Sequence, residues 1–238
     1  MPRLYLHTIP TDEKALFITG EESRYLLNVL RMKAGDEFTV FDSEGAHFKA
    51  EIKRVGKTSV VAELKEALPP AAEPTRRLVL LQGILKGRKM DYVVQKATEL
   101  GVSEIVPLVT SRSQVRQTRK HDRWQKIALE ASRQSYRTSV PDVREPVAFE
   151  EFLQSSDAFR GCIFWEEGGS SLSAMKLDTS DEPFLVAIGP EGGFTQAEVE
   201  MARGKGLEVA SLGSRILRAE TAAVSAVTIV QFLLGEMG

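Results

Sequence analysis

The sequence predicts an α/β protein with a mostly parallel sheet, preceded by a small β-rich module. Three observations carry this. Up to about residue 66 the apolar residues come in short, partly alternating runs. Three prolines then fall within Ala67-Leu-Pro-Pro-Ala-Ala-Glu-Pro74, a stretch that resists helix and sheet ladders alike. Beyond it, strand-length apolar runs alternate with helical patterns, as in sheets covered by helices.

In the first module, Phe38–Phe41, His47–Val55 and Thr58–Leu64 read as strands. Asp42-Ser-Glu-Gly45 and Val55-Gly-Lys57 supply turn residues between them. A helix is expected at Glu21–Met32, where Tyr25, Leu26, Val29 and Leu30 share a face. The division is therefore a barrel-like module over 1–68, a linker over 69–76 and an α/β domain over 77–238. In that domain the expected strands are Leu78–Gln82, Ile105–Val109, Cys162–Trp165, Phe184–Ile188 and Glu208–Leu212. The expected helices are Met90–Leu100, Asp122–Tyr136, Phe149–Gln154, Gln196–Gly204 and Thr221–Leu234. Gly101 marks a helix stop, and Thr195-Gln-Ala-Glu198 matches a capping box.

Composition excludes several classes. The single cysteine, Cys162, allows no internal disulfide and fits a reducing, cytoplasmic setting. His7, His47 and His121 show no ligand spacing, so no metal is expected. The start carries no signal-peptide pattern, and no apolar run reaches membrane-spanning length. Gly83-Ile-Leu-Lys-Gly-Arg-Lys-Met90 has the wrong spacing for a triphosphate loop, and no dinucleotide fingerprint is present. Ser111, Ser170 and Ser171 lack any triad context.

The overall charge of −2 conceals a segment at +6 over 111–144 and one at −10 over 145–200. Within the basic segment, Trp124, Ile127, Ala128 and Ala131 fall on one helix face. Arg119, Arg123, Lys126, Arg133 and Arg137 fall on the other, interrupted only by Glu130, with Arg112 and Arg116 just upstream. With almost no acidic partners at i,i+4, this stripe is either a solvated face or a grip on phosphate.

Two loops carry the candidate chemistry: Gly189-Pro-Glu-Gly-Gly193 after one strand, and Leu212-Gly213 with Ile216-Leu217-Arg218 after the next. Such glycines let backbone approach a ligand, and strand ends are where α/β proteins bind ligands. Each loop alone also reads as a plain turn. Together they suit a flat, weakly charged ligand.

Lys86-Gly-Arg-Lys-Met-Asp91, Gln95-Lys-Ala-Thr-Glu-Leu-Gly101, Ile188-Gly-Pro-Glu-Gly-Gly193 and Leu217-Arg-Ala-Glu-Thr-Ala222 resemble the RsmE family. Those proteins are 16S ribosomal RNA uridine N3-methyltransferases of the SPOUT superfamily. The resemblance spans nearly the whole chain, from Pro2-Arg-Leu-Tyr5 and Val29-Leu-Arg31 onward. It implies a PUA-like β-barrel, a SPOUT-type domain with a trefoil knot, S-adenosylmethionine as cofactor, and a homodimer. It implies 16S rRNA or the small ribosomal subunit as partner, with no membrane and no DNA. Cofactor positions would be Ile188, Gly189, Glu191, Gly193, Leu212, Gly213, Ile216, Leu217 and Arg218. Arg218, Glu191 and Glu220 become the catalytic candidates, Arg218 for charge stabilisation and a glutamate for the N3 proton. RNA candidates are Arg3, Arg31, Lys86, Arg88, Arg112, Arg116, Arg123, Lys126 and Arg133. The chain departs from the family pattern at Tyr25, Tyr136 and Ala219, where His, Gly and Thr are common. A non-catalytic RNA-binding or assembly factor, and a small-molecule α/β enzyme, remain alternatives at this point.

Overall fold

The computed structural model describes residues 1–10, 14–42, 45–69, 73–116, 118–171 and 182–237. Parts of the turn expected at Asp42–Gly45 and of the proline-rich stretch lie outside these residues. The chain forms two compact units, Met1–Glu73 with Ser132–Val140, and Pro74–Ala131 with Pro141–Gly238. The division is thus not linear: a segment from the middle of the chain belongs to the first unit.

The first unit contains strands β1 (Arg3–Tyr5), β2 (Ala15–Thr19), β3 (Glu37–Phe41), β4 (His47–Val55) and β5 (Ser59–Ala67). They form one sheet in the order β1-β3-β4-β5-β2. β1 runs parallel to β3, and the other pairings are antiparallel. Alternation explains the buried face: Leu16 and Ile18 of β2 are buried while Phe17 and Thr19 are exposed. Leu4, Leu26, Phe38, Ile52 and Val60 join them in one core. Register shifts after Lys49 and Ile52 mark irregularities that bend β4. The helix expected at Glu21–Met32 is shorter and changes pitch. Helix α1 (Gly20–Arg24) passes into a π-helical stretch, Tyr25–Val29, closed by the Leu30 N–H on the Tyr25 carbonyl at 3.0 Å. β1 and β2 have no counterpart among the expected strands.

The second unit contains β6 (Leu78–Gly83), α2 (Lys89–Glu99), β7 (Glu104–Val109), α3 (His121–Gln134, whose last turn counts with the first unit), β8 (Asp142–Val143), β9 (Val147–Ala148) and α4 (Phe149–Gln154). It continues through β10 (Gly161–Phe164), β11 (Ser170–Ser171), β12 (Phe184–Ile188), α5 (Gln196–Gly204), β13 (Leu207–Ser211) and α6 (Ala219–Leu233). The eight-stranded sheet runs β11-β13-β10-β12-β6-β7-β8, with β9 also on β7, and the pairings described are parallel. β6, β10 and β12 are buried at every position, which is why they read as unbroken apolar runs. Cys162 lies inside β10, where burial pushes its thiol far up, out of nucleophile range. The capping box of α5 is present: Thr195 Oγ1 accepts the Glu198 N–H while the Glu198 carboxylate accepts from Thr195 N at 2.8 Å. The other Glu198 oxygen accepts the Ser111 N–H at 2.7 Å. Gly101 ends α2 with φ +87, and a Cβ there would lie 2.7 Å from Pro74 Cγ.

Chain order and sheet order together place the site. The chain builds outward from β6 to β7 and β8, then returns on the other side of β6 with β12, β10 and β13. The C-terminal ends of β12, β10 and β13 are therefore neighbours beside a reversal of strand order, where open parallel sheets bind ligands.

Glu73 holds Ser132–Val140 in the first unit. One carboxylate oxygen accepts from Arg137 Nε at 3.1 Å and Nη2 at 2.9 Å. The other accepts the N–H of Thr138 at 2.7 Å and of Ser139 at 3.0 Å. Burial works to raise its pKa, but the Arg137 charge and these hydrogen bonds outweigh it and hold the carboxyl below the ordinary range. Arg137 is itself buried, so removing its partner strands a charge. Glu73→Ala is expected to destabilise the protein by about 3 kcal/mol in urea unfolding. Because the folded-state value is depressed, the Glu73 contribution is full above the ordinary carboxylate range. The gap between wild type and variant should therefore close as pH falls through the depressed value.

Candidate active site

All nine of the expected cofactor positions meet at one cavity of about 670 Å³ in the second unit. Ile188, Gly189, Glu191 and Gly193 line it from the end of β12, and Leu212, Gly213, Ile216, Leu217 and Arg218 line it from the end of β13. Between them stand Phe164, Trp165 and Glu166 from the end of β10. The sequence reading missed these three. Their strand was expected, but its position between β12 and β13 follows from strand order, which no local pattern reports. Trp165 Nε1 is buried with no hydrogen-bond partner among the described residues, so a donor on the cavity wall is unused.

Close backbone contact shapes the first loop. A Cβ at Gly83, the last residue of β6, would lie 2.4 Å from Pro190 N and 2.8 Å from Gly189 C. A Cβ at Gly189 would lie 2.9 Å from Gly193 C. Gly193 has φ +67, and the Glu166 carboxylate rests where its Cβ would stand. Arg112 clamps the outer side of the turn, with Nη1 donating to the carbonyls of Gly192 at 3.0 Å and Phe194 at 3.2 Å.

The charged groups form a small network at the rim. Glu191 accepts from Lys86 N at 3.1 Å and Lys89 Nζ at 3.3 Å. Burial works to raise the Glu191 value, but these hydrogen bonds and the Lys89 charge hold it below the ordinary range. Lys89, another residue the sequence reading passed over, also reaches Glu220 at 3.6 Å. Glu220 Oε2 is buried and accepts no hydrogen bond among the described residues. Arg218 sits at the N-cap of α6, exposed on the cavity rim, with no carboxylate paired to it among the described residues.

The expected RNA candidates divide. Lys86, Arg88, Arg116 and Lys126 are exposed in the second unit, and Arg31 in the first. Arg123 is exposed but forms a two-point bond with Asp91, at 2.8 and 3.1 Å. Arg112 serves the loop as described. Arg3 and Arg133 do not lie open to phosphate as expected. Arg3 is 6% exposed, its guanidinium 4.2 Å from the Phe41 ring centre and 5.2 Å from that of Tyr136. Burial lowers its pKa below the ordinary guanidinium value. Arg133 is 9% exposed and lies 4.5 Å from the Tyr25 ring centre. Two members of the basic stripe, Arg123 on α3 and Arg137 beyond its end, thus do have acidic partners. They come from Asp91 and Glu73, residues distant in sequence that no i,i+4 pattern reveals.

Comparison with known proteins bears directly on this site. The RNA methyltransferase domain family matches residues 72–231, and the RNA methyltransferase PUA domain family matches residues 18–65. The chain is 35% identical to ribosomal RNA small subunit methyltransferase E of Bacillus subtilis, over 90% of this chain and 89% of that protein. The chain belongs to the ribosomal RNA small subunit methyltransferase E family. Another member, from Rickettsia conorii, is 32% identical over 97% of this chain and 95% of its own length. A solved family member from Neisseria gonorrhoeae, bound to S-adenosyl methionine, superposes with a TM-score of 0.90 at 31% identity, covering 98% of each chain. The RsmE resemblance and the barrel-plus-α/β architecture expected of this chain are thereby borne out.

Gly83→Ala tests the backbone packing under the cavity. It is expected to push the Gly189–Pro190 backbone outward and weaken S-adenosylmethionine binding at least about tenfold in equilibrium dialysis, roughly 1.4 kcal/mol. Unchanged affinity would mean that this contact does not shape the cavity.

Proposed function

We propose that this chain methylates N3 of a specific uridine in 16S rRNA of the small ribosomal subunit, using S-adenosylmethionine, in the cytoplasm and as a homodimer. The observation that carries the proposal is the single cavity lined by the loops after β10, β12 and β13. Its residues fit the cofactor. The volume suits a ligand of that size. Ile188, Leu212, Ile216 and Leu217 offer apolar walls, and Gly189 and Gly213 leave backbone open to hydrogen bonds with a flat ring. Trp165 Nε1 is an unused donor, and the Glu166 carboxylate suits a cationic group. β10 lies between β12 and β13 in the sheet, a strand order consistent with the knotted loops of the superfamily.

When bound, S-adenosylmethionine supplies a methyl group on a sulfonium that leaves as a neutral thioether. The residues of this chain do the rest. Holding the two reactants in line supplies much of the acceleration. Uridine N3 becomes nucleophilic as its proton leaves, and Arg218 at the rim stabilises the negative charge developing on the uracil oxygens. Glu220 accepts the proton: its Oε2 is buried, accepts no hydrogen bond among the described residues, and is met only by the Lys89 ammonium at 3.6 Å. Glu191 serves the loop instead. Its carboxylate is engaged by Lys86 and Lys89 and held at low basicity.

The homodimer is supported by apolar surface on two helices that pack together. α6 exposes Ile229, Phe232 and Leu233, with Phe232 63% exposed, and α2 exposes Tyr92. No helix of the described residues is long and apolar enough to cross a membrane. A second copy of this chain, presenting the same face, would cover it.

Deleting the gene, mapping 16S rRNA modifications and restoring with purified protein tests the proposal. One 3-methyluridine should disappear and return. Loss of ribosome assembly with no missing methyl group would favour the non-catalytic alternative. Arg218→Ala is expected to lower kcat about 10²–10³-fold with the fold intact. Glu220→Gln should lower kcat by a similar factor, and Glu191→Gln by much less. In sedimentation, Phe232→Glu is expected to convert a dimer into a monomer.

A further inference from the structure

Lys89 is the first residue of α2, a cation at the end of a helix that disfavours cations. The chain turns into α2 at Gly87, with φ +63, and side chains in a first turn point back over the preceding loop. Lys89 accordingly lines the cavity. Two carboxylates from distant parts of the chain offset the unfavourable helix end. Nζ donates to Glu191 Oε1 at 3.3 Å, and Glu220 Oε2 lies 3.6 Å away. An ammonium has three donors. Glu191 takes one, and Glu220 stands beside a second without tying it in a hydrogen bond. Nζ has no further partner among the described residues. The Lys89 side chain is 39% exposed, so its remaining donor is open to the cavity it lines.

Arg218 lines the same cavity from the N-cap of α6, and Glu220 follows it in the first turn. A cation, a carboxylate and a second cation thus stand together at one rim. The edge of uracil that holds N3 reads oxygen, N–H, oxygen: it accepts at both ends and donates in the middle. Cytosine keeps one oxygen, carries an amino donor in place of the other and has no proton on N3.

We propose that Lys89 contacts the substrate base: Lys89 and Arg218 each donate to one of the two uracil oxygens, with Glu220 at the N3 proton between them. The inference rests on the uridine-methylating function and adds how the base is chosen. N3 gives its proton to Glu220, the electron pair left on N3 forms the bond to the methyl carbon, and the carbon–sulfur pair stays on sulfur. The negative charge that develops is shared by both ring oxygens, so a cation at each stabilises it. A cytosine would set its amino group against a cation and offer Glu220 no proton, and mismatches of this kind reject a substrate strongly.

Lys89→Met removes the charge and keeps most of the side-chain length. It should melt within a few degrees of wild type and bind S-adenosylmethionine within about threefold in equilibrium dialysis. Its single-turnover rate of methyl transfer should fall about 10²–10³-fold, and Lys89→Arg should recover most of that rate. The decisive comparison uses small subunits reconstituted with 16S rRNA transcribed with 5-fluorouridine, whose fluorine makes N3 more acidic. There the deficit of Lys89→Met relative to wild type should shrink by about tenfold or more, because the ring itself carries the charge better. If Lys89→Met does not fold, Lys89→Gln carries the same comparison. An equal deficit on both RNAs would make Lys89 a support for the loop and overturn the proposal, and so would loss of cofactor binding. If the wild-type protein methylates N3 of uridine in neither RNA, the functional proposal itself fails.

Discussion

The active site depends on backbone packed against backbone. The end of β6 at Gly83 touches the Gly189–Pro190 peptide at distances that leave no room for a Cβ, and Gly189 in turn rests on Gly193. This contact folds the loop after β12 back on itself. It also brings Glu191 to Lys86 and Lys89 at the exposed rim. Arg112 closes the turn from outside. A cavity with one wall made of main chain can hydrogen-bond the edge of a flat ligand while apolar side chains cover its faces.

A parallel sheet makes the second contribution. Its strands point their C-terminal ends the same way, so the loops after β10, β12 and β13 emerge side by side. The rim then collects the charges: Lys89 between Glu191 and Glu220, with Arg218 at the start of α6. The first unit has a different economy. It buries Arg3, Arg133 and Arg137 against rings and one carboxylate, and leaves Arg31 and Tyr136 outside.

Much of this was legible in the sequence where the cause is local. β6 and β12 announce themselves because burial on both faces demands unbroken apolar runs. The α5 start is written in Thr195 and Glu198, three residues apart. The glycine loops stand out because backbone approach excludes other residues. What the sequence hid is non-local. Trp165 and Glu166 enter the cavity because β10 lies between β12 and β13. Arg137 is buried because Glu73, far back in the chain, comes to meet it. The same contact draws Ser132–Val140 into the first unit, against the linear division that the prolines suggest. The helix over Glu21–Met32 was legible as apolar periodicity, but the widening to π-helix at Tyr25–Val29 was not.

Trp165 lines the cavity, and the chain's other tryptophan, Trp124, is buried on α3, so the cofactor site can be watched from inside. The most direct measurement is Trp165 emission in a Trp124→Phe protein titrated with S-adenosylmethionine. The account predicts a saturable change with one site per chain and a midpoint that matches the concentration dependence of methyl transfer. Saturable binding of the cofactor that leaves Trp165 emission unchanged would place the cofactor elsewhere and contradict it.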